Sequence, residues 1–246
     1  MKTIPFLGPL ALAVLATAAV TAPLAARGAI SATSPFLGIP IPDDSNAGLA
    51  LSLEIAESVT IQDLEVSLDL SVPVGSSAWM GDLYVYLLHD TGFSVLLNRP
   101  GRRDADIAGY DDSVGLQVTF DDDALGGDVH TYRLALLGDE TLPLSNDLTG
   151  FWQPDGRAVD PALALATDLR TARLDSFLGL NSAGTWNLFL ADLSGGGEFQ
   201  INSWSLQIQD IGATVPEPGT LGLVVLLPLV GLHLAIRSRR RFASVP

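Results

Sequence analysis

An all-β antiparallel sandwich is the fold class this sequence predicts, on three observations. Apolar residues recur at every second position in several short runs, the pattern of a strand with one buried and one wet face. Turn-forming Gly, Pro, Asp and Ser clusters separate those runs. Only one segment between the chain ends, Asp160 to Arg173 with Ala162, Leu163, Ala164, Leu165 and Ala166, offers a helical alternative, and it reads equally well as a surface loop.

The strands follow in order. Leu49-Leu51-Leu53-Ile55 opens the series, and Leu64, Val66, Leu68, Leu70 and Val72 alternate with Glu65, Ser67, Asp69 and Ser71. Leu83-Val85-Leu87, Val114-Leu116-Val118-Phe120, Tyr132-Leu134-Leu136, Trp186-Leu188-Leu190 and Trp204-Leu206-Ile208 continue it. Pro73-Val74-Gly75-Ser76, Arg99-Pro100-Gly101 and Ser194-Gly195-Gly196-Gly197 supply the breaks. Many short strands, each with one buried face, close into a sandwich.

Both ends of the chain read as addresses rather than as parts of this core. Lys2 precedes an uncharged apolar run from Ile4 to about Ala22, and Ala26-Arg27-Gly28 offers small residues where a signal peptidase cuts. Residues 1–28 are thus expected to be a signal peptide, with a retained membrane helix as the alternative. At the far end, Leu221 to Ile236 carries no charge and would span roughly 24 Å as a helix, against about 30 Å of hydrocarbon. Pro228 interrupts that span, so it is a poor permanent anchor. Arg237, Arg239, Arg240 and Arg241 would stay on the cytoplasmic side and orient the rest outward. Residues 29–38 then read as a linker, 39–211 as one domain and 212–246 as a tail with its membrane helix at about 219–236. The length between signal and tail suits a single domain with its own core.

Charge is unevenly distributed. All 28 acidic residues lie between Asp43 and Glu217, with seven arginines and no lysine among them, a net of −21 for that span. Such a field repels nucleic acid and anionic lipid and attracts cations or basic partners; solubility alone would also account for it. The chain has no cysteine, which excludes disulfides, thiolate metal sites and a cysteine nucleophile.

Two resemblances rest on longer motifs. The tail, with Pro216-Glu217-Pro218, an apolar helix and the basic cluster in that order, resembles the PEP-CTERM sorting signal. That resemblance implies an exosortase-type processing enzyme in a Gram-negative envelope. The precursor would be exported, held briefly in the inner membrane and released to the outer envelope or beyond. "AWMGDLYVYLLHDTGFSVLLNRPG" (Ala78 to Gly101) and "LDSFLGLNSAGTWNLFLADLSGGGEFQINSWSLQI" (Leu174 to Ile208), with "IPIPDD" (Ile39 to Asp44), resemble the P/Homo B domain. This domain follows the catalytic domain in kexin-like and furin-like convertases and many subtilisin-type proteases. Over Ile39 to Asp210 the resemblance implies a jelly-roll connectivity and a link to serine-type endopeptidases, while Asp121 to Arg173 is longer than the family pattern.

No nucleophile segment of the subtilisin type and no Gly-x-Ser-x-Gly elbow occurs, so no catalytic residue is assigned. His89 and His130 are read as strand-end residues. Paired carboxylates for glycoside hydrolysis cannot be singled out among so many acids. Calcium is the best candidate for a specific ligand: Asp104, Asp106, Asp111 and Asp112 share one turn-rich segment and Asp121, Asp122, Asp123 and Asp128 the next, although neither has EF-hand spacing. A merely solvated acidic loop is the reading preferred over it. Gly81-Asp82 and Asp192 read as structural, Trp186 and Trp204 as core anchors, and Trp79 and Trp152 as loop residues that could stack on sugar. The expected function is a non-enzymatic exported envelope or extracellular-matrix protein. The alternatives are an accessory domain that docks on a subtilisin-type protease and a module that binds extracellular polysaccharide.

Overall fold

The computed structural model describes residues 28–210; residues 1–27 of the expected signal peptide, the expected sorting tail beyond residue 210 and its expected membrane helix lie outside the described residues. In chain order the elements are β1 (Gly28–Thr33), β2 (Ile39–Pro40), β3 (Leu49–Ile55), β4 (Asp63–Ser71), β5 (Leu83–His89), β6 (Gly92–Asn98), β7 (Leu116–Phe120), α1 (Tyr132–Leu137), β8 (Leu148–Trp152), β9 (Gly184–Asp192) and β10 (Gln200–Asp210). One sheet runs β1-β10-β4-β7-β8, with β2 also on β10, and the other runs β3-β9-β5-β6. Among the described residues no helix is long and apolar enough to cross a membrane.

The alternation read in the sequence is what joins the two sheets. In β4, Leu64, Val66, Leu68 and Leu70 are buried while Glu65, Ser67 and Asp69 are half-exposed. Opposite them, Leu83, Val85 and Leu87 of β5 and Trp186, Leu188 and Leu190 of β9 point inward, so both sheets share one apolar core. Trp204, Leu206 and Ile208 of β10 complete it. At about 25 cal/mol per Å2, burial of these large side chains is the dominant stabilising term.

Four expectations need correction. Residues 29–38 are not a linker: β1 pairs along β10 from Gly28↔Asp210 to Thr33↔Ser205, and its Ile30 and Ala32 pack on the core. The short alternation Ile30-Ser31-Ala32 is enough to build an edge strand once a partner strand is present. Tyr132-Leu134-Leu136 is not a strand but lies in α1, whose Leu134, Leu136 and Leu137 are exposed. Asp128 accepts from the His130 backbone N–H to start a 3-10 turn ahead of it, and Gly138 in the left-handed conformation ends it. Local caps outweigh a three-residue alternation there.

The sandwich is also not wholly antiparallel, because β7 and β8 pair parallel. The expected run at Val114 starts instead at Leu116, and β8 has no alternation from which to read it: Thr149, Gly150 and Phe151 are all exposed. Residues 160–173 contain turns and no helix, which decides between the two readings of that segment. They are held by internal arginines together with a few backbone bonds, Val95 N–H to the Ala172 carbonyl and Ala172 N–H to the Gly156 carbonyl among them.

Candidate functional site

The segment between β7 and β9 is organised around a buried polar network. His130 sits in the 3-10 turn after Asp128, and its Nδ1 lies 2.7 Å from Asp155 Oδ2, with both side chains fully buried. Its other ring nitrogen, Nε2, is 2.9 Å from the Arg102 carbonyl. The second Asp155 oxygen accepts from Arg157 Nη1 at 3.1 Å, and Arg157 also reaches Asp128 at 2.8 Å and the carbonyls of Leu165 and Ala166. Arg170 adds bonds to the Asp155 and Pro154 carbonyls. A histidine beside an aspartate is half of a nucleophilic triad. Here a backbone carbonyl occupies the nitrogen that would face a nucleophile, and no water reaches the ring.

His89, at the end of β5, is equally enclosed. Its Nδ1 and Nε2 meet the Thr185 and Asn181 carbonyls at 3.1 and 2.7 Å, and its ring stacks on Trp186 at 4.0 Å. Neither histidine can reach a substrate in this arrangement.

Of the eight candidate calcium aspartates, Asp121, Asp122 and Asp123 line one groove with Asp63, Asp175 and Arg173, whereas Asp106, Asp111, Asp112 and Asp128 are held outside it in separate pairings. Both Asp112 oxygens are occupied, one by the Leu144 N–H and the other by Arg133 and the Tyr132 hydroxyl. Asp111 also meets Arg133, whose hydrogen bond holds the Asp111 carboxyl below the usual range. Asp106 pairs with Arg103, Asp122 with Arg173, and Asp128 with Arg157. Asp121 caps the Asp123 N–H, and Asp104 is an exposed turn residue. No group of three or more metal-ligating side chains converges among the described residues. Arginines in the intervening loops neutralise the carboxylates that a bare count of acids offers to a cation. All seven arginines of the described residues donate inside the fold.

The two ends of the Ala78–Gly101 stretch meet at one junction. Asp82, just before β5, lies 3.2 Å from Arg99 Nη2, just after β6, and Arg99 Nε donates to the Gly81 carbonyl at 2.8 Å. Asp192, at the end of β9, is 1% exposed, and burial raises its pKa to about 7, with Asp82 and Asp43 adding to the effect. Gly81 is required by close approach: a Cβ there would stand 2.4 Å from the Ala108 carbonyl oxygen and 2.8 Å from Gly109.

Trp152 is 3% exposed, its indole N–H bonded to the Thr149 carbonyl, whereas Trp79 is 44% exposed. The expected stacking pair is therefore not available, since a tryptophan at the end of a core strand packs inward. Trp186 and Trp204 are buried in the core, as read.

Sequence reasoning missed a different aromatic set. Tyr84 and Tyr86 point outward from β5, Phe189 from β9 and Phe93 from β6, all half-buried where a sheet exterior is normally polar. Tyr86 stacks on Phe189 at 4.7 Å and lies 5.6 Å from both Tyr84 and Phe93. Loop residues Asp160, Pro161 and Ala162 wall a groove of about 510 Å3 over Tyr84, Tyr86 and Phe189. Burial pushes the Tyr84 phenol upward, with Tyr86, Asp155 and Asp160 contributing. The signal was present in Leu83-Tyr84-Val85-Tyr86-Leu87-Leu88, which is apolar at both parities of a strand.

No protein-family profile matches the chain, and no curated protein matches it. Among solved structures, the complex of the Aeromonas sobria serine protease and the chaperone ORF2 is similar at a TM-score of 0.41 and 17% identity, over 78% of this chain and 28% of that one. The A. sobria serine protease by itself is similar at 0.40 and 17%, with the same coverage. This chain spans under a third of the chain it aligns with. The two-sheet, mostly β architecture rests on the strands themselves.

Proposed function

We propose that this chain is a non-catalytic, P-domain-like accessory module for a subtilisin-type serine protease, exported and sorted through its C-terminal tail. The observation that carries the non-catalytic half is His130: both ring nitrogens are engaged inside the protein, and no solvent reaches the Asp155 pair. The accessory half is supported by the Gly81-Asp82-Arg99 junction, which ties together the two ends of the motif that carries the family resemblance. Jelly-roll connectivity belongs to the same reading. It is supported by the pairing of the early strands β3 and β4 with the last two, β9 and β10.

Export is supported by the N-terminal apolar run, and transient anchoring by the short, proline-interrupted C-terminal span with Pro216-Glu217-Pro218 ahead of it. Partners on this reading are signal peptidase, an exosortase-type enzyme and the protease; nucleic acid is disfavoured by the acidic surface.

The decisive experiment mixes the purified chain with a subtilisin-type protease whose own P domain has been removed. Binding by calorimetry together with a longer thermal half-life of the protease is the expected result. Absence of binding removes the accessory reading, and hydrolysis of peptide substrates by the chain alone removes the non-catalytic one.

A further inference from the structure

We propose that the groove over Tyr84, Tyr86 and Phe189 is a binding site for a neutral pyranose saccharide. This inference does not depend on the protease reading. The floor is three half-buried aromatic side chains on the outside of the β3-β9-β5-β6 sheet, and the volume, about 510 Å3, is that of a small-molecule site. An outward sheet face of this composition is solvated at a cost unless something apolar covers it, and the C–H face of a pyranose ring is such a surface.

The polar rim selects the ligand's charge. Arg99 stands at one side, anchored through Nε to the Gly81 carbonyl and through Nη2 to Asp82, and Nη1 makes no hydrogen bond among the described residues. Asp160 stands at the other; one of its oxygens accepts from the Ala162 N–H at 2.9 Å and the second is open. The Asn46 amide adds a donor and an acceptor. A sugar hydroxyl both donates and accepts, so it satisfies a guanidinium and a carboxylate alike. The groove itself carries one charge of each sign. A uronate or sulfated glycan that met Arg99 would also face Asp160 within an acidic field, whereas a cationic ligand would face the Arg99 guanidinium. An uncharged saccharide meets neither penalty.

The test is calorimetric titration of the full chain with cellohexaose, laminarihexaose, mannohexaose and chitohexaose, and with polygalacturonate as the charged comparison. At least one neutral hexaose should bind one-to-one, and Tyr86→Ala should weaken it by roughly tenfold or more. Because Tyr86→Ala could perturb the sheet, Ala162→Trp provides a second arm: it fills the groove from an exposed loop position and should weaken binding equally while leaving the melting temperature near that of the unaltered chain. Failure of all four neutral hexaoses to bind overturns the inference. So does binding that survives Ala162→Trp, or tighter binding of polygalacturonate. If Ala162→Trp instead abolishes association with the protease while no sugar binds, the groove is a protein-docking site and the saccharide inference is wrong.

Discussion

His130 and Asp155 form a buried pair at 2.7 Å, with the far side of the imidazole capped by the Arg102 carbonyl. A constellation that in an open cleft would be catalytic is used here to fasten the long segment between β7 and β9. Three donors and acceptors satisfy one another there. Replacing His130 by Ala leaves a buried carboxylate with Arg157 as its remaining side-chain partner and leaves the Arg102 carbonyl with only the Ala166 N–H. A loss of about 2–4 kcal/mol in urea denaturation is expected. A change below about 0.5 kcal/mol would show that the pair is structurally idle.

Arg157 reaches Asp128, Asp155 and the Leu165 and Ala166 carbonyls, so it anchors the wall of the aromatic groove to the turn that starts α1. Arg157→Met should destabilise the chain by about 3 kcal/mol. It should also raise amide exchange across residues 160–168 more than in β4. Uniform exchange across both regions would contradict the anchoring role.

Asp192 makes stability fall as pH rises. Its unfolded carboxyl titrates near 3.9, whereas burial raises the folded value to about 7, and burial also raises Asp82. Between those two values the folded state holds a proton that the unfolded state has lost. Deprotonation therefore disfavours folding, and the loss grows through the window to roughly 2–4 kcal/mol. The urea midpoint should be higher at pH 5 than at pH 8, and Asp192→Asn should reduce that difference. Equal midpoints in the unaltered chain would remove Asp192 as the cause.

Gly81 tolerates no side chain because the Ala108 carbonyl and Gly109 lie against it. Gly81→Ala should cost about 2–3 kcal/mol by displacing the Asp82–Arg99 junction, measured by thermal unfolding. A neutral outcome would mean that the junction relaxes freely.

Calcium should leave the melting temperature unchanged. Five of the eight candidate aspartates face arginines, and no three ligating side chains converge among the described residues. Comparing millimolar calcium with a chelator by differential scanning fluorimetry checks this. A reversible rise of several degrees would place an ion on the carboxylates that have no arginine partner.

The sandwich class was legible from sequence because one-sided burial imposes a period of two on β3, β4, β5, β9 and β10, and that period is a property of each strand alone. The absence of cysteine and the acidic balance are likewise readable without coordinates. Which carboxylates are free, which histidine is sealed and which aromatics share a surface were decided only by the tertiary structure. Arg133 neutralises Asp111 and Asp112 from about twenty positions away, and Tyr86 meets Phe189 across two strands far apart in the chain. Charge pairing and ring stacking act through a few ångströms of space, and spacing along the chain carries no record of those distances.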